Sequence, residues 1–206
     1  MMQPVPPDRL DSAIQFVELL RAAVHEHEVP ANIRNRAAGS CLAISREHYK
    51  GIVLLIEHQI FAPAFALLRV EFEAYVRGEW LALCATDDEV STFVNGGRPP
   101  EFNVLVKALE ETSSFEASVL SLIKRSSWDT MCGYTHTGGI HIQRWNTPDS
   151  IEANYGPEEV LEVLYFAETI GGMCVIGMAA LSDSEALAVR VGGAIKANAA
   201  KWKTDL

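Results

Sequence analysis

The stretch that decides the fold is residues 62–85, APAFALLRVEFEAYVRGEWLALCA. Apolar residues recur along it at helical spacing, and Pro63 falls in the first turn, where its missing N–H leaves no helical hydrogen bond unmade. The pattern predicts a helix that is apolar on most of its circumference. Such a helix needs neighbours on several sides, so we expect it at the centre of a bundle.

Helical spacing continues on both sides of this segment. It predicts further helices over about residues 8–28, 31–59, 87–93, 102–111, 115–128, 157–181 and 185–202. Residues 135–156 are rich in glycine and asparagine, and within them residues 140–143 alternate like a short strand. We therefore predict an all-α fold: a single-domain helical bundle of about seven to eight helices with one long Gly-rich loop. The domain would cover residues 8–206, after a disordered lead-in at residues 1–7.

Composition narrows the class of protein. The chain has 206 residues, with 17 Lys and Arg against 27 Asp and Glu, for a net charge of −10. A chain of this length buries enough surface to fold without a disulfide or a metal. The four cysteines form no Cys-x-x-Cys pair, which favours reduced thiols in a cytoplasmic protein. Because the net charge repels a polyanion, nucleic-acid binding requires a local cluster of basic residues.

No membrane segment is predicted. Residues 1–7 lack the basic start and apolar core of a signal peptide. The longest apolar stretch, IGGMCVIGMAAL at residues 170–181, is shorter than the ~18 residues of a membrane span. We interpret it as a core helix, whose glycines let neighbouring helices approach closely.

A ladder of charges interrupts the apolar third helix. Arg69, Glu73 and Arg77 are each four residues apart, so they fall along one stripe of the helix among apolar residues. Charges in an apolar setting must be partnered. One interpretation is an internal structural salt bridge. The other is that Glu73 orients an arginine, Arg77 first, which binds an anion or a transition state.

A second polar candidate lies in the Gly-rich loop. Its sequence is Tyr134-Thr135-His136-Thr137-Gly138-Gly139-Ile140-His141, followed by Arg144. Two glycines let the backbone approach a ligand closely, and His136 can exchange protons near neutral pH. The alternative is a histidine satisfied within an ordered loop. On the functional interpretation the catalytic residues are His136, Arg77, Arg69 and Glu73, and the binding residues are Tyr134, Gly138, Gly139, His141 and Arg144.

Motifs for other chemistries are missing. His136 and His141 are separated by two glycines and have no fixed geometry, and there is no His-Glu-x-x-His motif. The chain also lacks the Gly-x-Ser-x-Gly, Gly-x-x-x-x-Gly-Lys and Gly-x-Gly-x-x-Gly patterns of serine hydrolases and nucleotide-binding proteins. We predict neither a metal nor a cofactor.

Two motifs together carry a resemblance. Arg69-x-x-x-Glu73-x-x-x-Arg77 with Trp80, and Tyr134-x-His136-x-Gly138-Gly139 downstream, resemble an uncharacterised group of bacterial all-helical proteins. That group is similar in outline to HEPN-type helical domains, many of which are metal-independent ribonucleases of toxin–antitoxin and antiphage systems. The resemblance covers about residues 62–155. It implies RNA or a small anionic ligand as the bound molecule and a cognate protein as a partner.

The resemblance departs from the HEPN pattern at one point. HEPN nucleases carry an arginine shortly before the histidine, whereas residues 129–133, before His136, contain none. Arg21 and His27 match that spacing, but in the first helix.

These observations leave two hypotheses for the function. The first is a metal-independent ribonuclease in which arginine holds a phosphate, His136 acts as acid or base and Glu73 fixes an arginine. The second is a non-enzymatic binding or regulatory module in which the same cluster is structural. The distance between His136 and the arginines distinguishes them. We also expect a homo-oligomer, because two helices are apolar all round.

Overall fold

The computed structural model describes residues 5–25, 27–116 and 118–202, the last of them, Trp202, by its backbone alone. Within that part of the chain it contains helices and no strand, which confirms the all-α prediction. The nine helices are α1 (Pro7–His25), α2 (Ile33–Glu57), α3 (Phe61–Leu83), α4 (Asp87–Val94), α5 (Phe102–Glu110), α6 (Val119–Thr135), α7 (Gly139–Gln143), α8 (Pro157–Leu181) and α9 (Glu185–Trp202).

The predicted lead-in is described only in part. Residues 1–4 lie outside the described residues. Val5 is buried against the core, and Pro7 begins α1. Of the predicted lead-in, residues 5–7 are therefore ordered in this structure.

Local signals in the sequence set the helix boundaries. The Asn32 side chain caps α2 by accepting a hydrogen bond from the backbone N–H of Asn35 at 2.8 Å. Thr86 and Glu89 form a capping box at the start of α4. Pro157 occupies the first turn of α8, as predicted.

The centre of the bundle is formed by α2, α3 and α8. α3 packs along α2 and also contacts α5, α6 and α8. Aromatic side chains of α2 and α3 fill the interior, with Tyr49, Phe65, Phe72 and Tyr75 fully buried. Since α3 is apolar on most sides, each neighbour covers one of its faces.

The predicted strand at residues 140–143 is wrong. These residues belong to the short helix α7, and the only β-type pairing described in this region is an isolated bridge between Asn146 and Ile151. A run of four residues is too short to distinguish the two-residue period of a strand from the 3.6-residue period of a helix. In the structure the neighbours Ile140 and His141 both face the protein interior and Ile142 is exposed, which does not follow the alternation of a strand. The long loop is therefore divided by a turn of helix.

Helix α6 differs from its prediction in a way that matters for the site. It begins at Val119 and ends at Thr135, where the sequence predicted a helix over residues 115–128. The extension places Trp128 in the body of the helix and His136 directly at its end.

Helix α8 is long and apolar enough to cross a membrane by length and composition alone. In this structure 61% of its most apolar 18-residue stretch is buried within the protein. That burial is typical of a core helix. It also means that the apolar surface of α8 is covered largely within one chain, and the homo-oligomer stays a prediction that light scattering can check.

Candidate functional site

The charge ladder forms a connected chain of ion pairs on α3. Nε of Arg69 donates to Oε1 of Glu73 at 2.8 Å. Nη2 of Arg77 lies 3.7 Å from Oε2 of Glu73, close enough for an ion pair but too far for a hydrogen bond. Nε of Arg77 is buried, and no described residue accepts a hydrogen bond from it. Glu73 thus forms its hydrogen bond with Arg69 and leaves the buried Nε of Arg77 without an acceptor among the described residues.

The ladder lies at the edge of the bundle rather than inside it. The side chains of Arg69, Glu73 and Arg77 are 22%, 21% and 26% exposed. The apolar stripe therefore covers these charges in part, and none of the three side chains is fully buried. α3 turns another face inward, on which Glu71 is 0% and Glu79 8% exposed.

His136 is an exposed residue that meets the ladder at Arg69. Its Nε2 lies 2.5 Å from Nη1 of Arg69. An arginine nitrogen can only donate, so Nε2 must be the unprotonated nitrogen that accepts this bond. The contact satisfies the geometric condition of the enzyme hypothesis, which required His136 to reach an arginine of the ladder.

The position of His136 is fixed from both sides. It caps the C-terminus of α6, and its backbone N–H donates to the carbonyl of Cys132 at 2.9 Å. Before it, the Thr135 hydroxyl contacts the carbonyl of Ala66 on α3 at 3.0 Å. After it, Thr137 adopts a left-handed conformation with φ of 54°. The sequence places this histidine where a helix ends against α3.

Glycine is required at position 138 because the backbone there lies directly against the backbone of Gly133. Its N–H donates to the carbonyl of Gly133 at 2.6 Å, and a Cβ on Gly138 would lie 3.0 Å from the Cα of Gly133. Gly139 has open space around it, with no atom within 4 Å of a Cβ added there. The close approach is thus between the loop and the last turn of α6, and it concerns the first of the two glycines.

Trp128, which is not among the predicted site residues, provides a flat surface beside Arg69. Its ring stacks on Phe102 of α5 with the ring centroids 4.5 Å apart. The guanidinium of Arg69 lies 4.9 Å and the ammonium of Lys124 5.5 Å from the Trp128 ring centroid, both within cation–π range. A signal was present, because Lys124, Trp128 and Thr135 follow helical spacing and so share one face of α6.

His141 and Tyr134 hold the loop in place instead of joining His136. His141 is buried, and its Nδ1 donates to the backbone carbonyl of Tyr134 at 2.8 Å. Its ring meets the rings of Tyr134 and Tyr155 edge to face. Burial raises the pKa of Tyr134, with Glu159 adding to the effect and Arg144 opposing it.

Arg144 also anchors the loop. Its guanidinium pairs with Glu159 of α8 through both Nε, at 2.9 Å, and Nη2. The carboxylate of Glu159 in turn accepts from the backbone N–H of Gly156 at 3.1 Å. Among the predicted site residues, the structure therefore brings together Arg69, Glu73, Arg77 and His136. It places Tyr134, His141 and Arg144 in the support of the loop.

The described residues contain no group of three or more His, Cys, Asp and Glu side chains able to hold a metal. The chemistry that the cluster offers is that of organic groups. Arginine donors can bind an anion, an unprotonated imidazole nitrogen can accept a proton, and an aromatic face can stack on a planar ring.

Fold and site together define a helical-bundle protein with an Arg–Glu–Arg ladder, a histidine at the end of a helix and an aromatic surface beside them. The chain matches a family of unknown function, DUF6988, over residues 42–199, and it belongs to that family. The match includes every residue of the cluster. Comparisons with curated proteins and with solved structures find no match.

Proposed function

We propose that the protein cleaves single-stranded RNA without a metal, at the cluster formed by Arg69, His136 and Arg77. The observation that carries the proposal is the 2.5 Å contact between Nε2 of the exposed His136 and Nη1 of Arg69. It joins a proton acceptor to a phosphate-binding group at a position that solvent can reach.

The surroundings of this contact support RNA as the substrate class. Trp128 stacks on Phe102 with one face, and an unpaired base can stack on its other face by displacing the Arg69 and Lys124 side chains that lie over the ring. Arg69 and Lys124 lie against that ring, so positive charge adjoins the stacking surface. Arg77 is two turns along α3 from Arg69, roughly 12 Å by helical rise, which lets the ladder contact phosphates at two places on a strand.

The local chemistry suits transfer within the RNA strand. A phosphate that accepts from Arg69 would take over the donor now directed at Nε2 of His136. The freed nitrogen can then accept the proton of a 2′-hydroxyl while its oxygen bonds to phosphorus and the bond to the 5′-oxygen breaks. The 5′-oxygen takes a proton from water, the hydroxide that remains takes the proton held by His136, and the products are a 2′,3′-cyclic phosphate and a 5′-hydroxyl. The arginines stabilise the charge on phosphorus.

A second candidate is a binding module without catalysis. Arg69 contacts Glu73, His136 and Trp128 at once, so the cluster holds itself together without a ligand. On this interpretation the contacts fasten the end of α6 to α3, and RNA or a partner protein binds on the outer surface.

The test is cleavage of a fluorescent single-stranded RNA in the presence of EDTA. We expect 2′,3′-cyclic phosphate ends, no cleavage of the same sequence as DNA, and a loss of about 10²–10⁴-fold in rate for His136→Ala. His25→Ala is the matched control, because His25 is exposed in the last turn of α1. Cleavage that needs a metal, or a His136→Ala variant as active as the wild type, would contradict the proposal. RNA binding that depends on Arg69 without any cleavage would establish the second candidate instead.

A further inference from the structure

A pocket between α1 and α2 is lined by more positive charge than its own contacts neutralise. It has a volume of about 240 Å³ and shares no residue with the cluster around His136. Its walls are formed by Val17 and Arg21 of α1 and by Ala43, Arg46, Glu47, Tyr49 and Lys50 of α2.

Arg46 is a lining residue with a buried hydrogen-bond donor. Its Nε is buried, and no described residue accepts a hydrogen bond from that atom. No described residue forms a salt bridge with its guanidinium either. A buried donor without an acceptor is costly, and a guanidinium carries five donors in a planar fork. The structure therefore leaves one buried donor of a half-buried guanidinium without an acceptor among the described residues.

The neighbours of Arg46 add to the positive charge. Arg21 already pairs with Glu18 at 2.7 Å, and both of those side chains are more than half exposed. Burial lowers the pKa of Arg46, and the charge of Arg21 acts in the same direction, while Glu47 opposes them. Lys50 lies one helical turn after Arg46 and is exposed. The pocket lining thus contains three cations and one carboxylate, Glu47, and with Glu18 counted as the partner of Arg21 one positive charge remains in excess, in a protein whose net charge is −10.

We infer that this pocket binds a small phosphorylated molecule of the size of a sugar phosphate. The guanidinium fork of Arg46 pairs with phosphate oxygens through parallel donors, and Arg21 and Lys50 add charge at the rim. Glu47 can accept hydrogen bonds from hydroxyl groups, and Val17 and Ala43 offer apolar contact to a carbon skeleton. A volume of about 240 Å³ holds such a molecule and leaves no room for a polymer.

The experiment is a calorimetric titration at fixed ionic strength, with inorganic phosphate, ribose 5-phosphate and ribose as probes. We expect ribose 5-phosphate to bind at least as tightly as phosphate, and ribose not to bind. Arg46→Met should weaken ribose 5-phosphate binding at least ~10-fold, and Arg21→Gln by about two- to fivefold. Arg190→Met on α9 is the matched control, because it removes one exposed positive charge elsewhere and should leave the affinity unchanged.

Folding of the variants is checked in phosphate-free buffer. Because Arg46 has no acceptor among the described residues, Arg46→Met should melt at the wild-type temperature or above it. Arg46→Lys keeps the charge without the fork and should bind with intermediate affinity. Absence of binding by the wild type at millimolar ribose 5-phosphate overturns the inference. Equal binding by the Arg46→Lys variant and the wild type overturns the role of the fork. Neither result depends on RNA cleavage.

Discussion

At the scale of single residues, Glu79 holds a carboxyl group inside the bundle. Its side chain lies directly against Gly177 of α8, where any Cβ would collide with Oε1. Burial raises the pKa of Glu79 from its ordinary value of 4.5 to about 7. The folded protein therefore keeps a proton on Glu79 over a pH range in which the unfolded chain has lost it.

This difference predicts that the protein loses stability as the pH rises from about 4.5 to 7. Between these values the unfolded chain ionises Glu79 and the folded protein does not, so ionisation favours unfolding. The difference between the folded and unfolded pKa values corresponds to a loss of up to about 3 kcal/mol in the free energy of unfolding. Glu79→Gln removes the titrating group, and we expect the variant to be about 1–3 kcal/mol more stable than the wild type at pH 8 and equal or less stable at pH 4.5.

Urea unfolding of both proteins at pH 4.5, 6 and 8 measures this difference. The comparison between variant and wild type cancels the pH dependence that comes from other titrating groups. One of these is Glu71, which is fully buried and whose pKa is also raised by burial. A stability difference that does not change with pH would show that Glu79 is not protonated in the folded state at pH 6.

At the scale of elements, α8 depends on glycine where it crosses α2. A Cβ on Gly171 would lie 2.5 Å from Cδ1 of Tyr49, whose side chain is fully buried and whose hydroxyl donates to the carbonyl of Ala13 at 3.2 Å. Alanine is the better helix former by about 1 kcal/mol, but the ring cannot move away without losing its packing. We expect Gly171→Ala to reduce the free energy of unfolding by about 2 kcal/mol.

Gly193→Ala on α9 is the matched control for this substitution. Gly193 is exposed, and no atom lies within 4 Å of a Cβ added there. The substitution then changes only the helix propensity, so the free energy of unfolding of this variant should increase by about 0.5–1 kcal/mol. Urea unfolding of the pair decides the point, and two variants that both gain stability would mean that α2 and α8 are further apart than the structure places them.

The elements also show how far the sequence alone reaches. Long helices such as α3 and α8 were predictable, because their apolar spacing repeats over many turns and proline marks their first turns. The short α7 was not, since a run of alternating residues fits a strand as well as a helix. The pairing of Arg69 with Glu73 followed from their spacing.

The rest of the cluster depended on tertiary packing. Which face of α3 turns inward is decided by α2 and α8 together, and so Glu71 rather than Glu73 is the fully buried acid. Trp128 reaches the site because α5 supplies Phe102 to stack against it, a contact between distant parts of the chain. Spacing within α3 or α6 alone carries no information about such a contact.

At the scale of the whole molecule, the proposed RNA site is a small basic surface on an acidic protein. The net charge is −10, so a long RNA gains contacts at the cluster and meets repulsion beyond it. Affinity for single-stranded RNA should therefore stop rising once the oligonucleotide covers Arg69, Trp128 and Arg77. We expect RNAs of about 4 and about 20 nucleotides to bind with similar affinity, in contrast to proteins with an extended basic groove.

The salt dependence of RNA binding tests the same prediction, because its slope reports the number of phosphate contacts. Two phosphate contacts, from Arg69 and Arg77, correspond to a slope of about −1.4 in a plot of log affinity against log salt, at about −0.7 for each contact with a single strand. Arg69→Gln should reduce the slope by about 0.7, and Arg190→Gln, which removes an exposed charge on α9, should leave it unchanged. Fluorescence anisotropy with the uncleavable 2′-deoxy strand measures both. A slope steeper than about −3, or an affinity that keeps rising with length, would place phosphate contacts outside the cluster, because two arginines cannot release that many counterions.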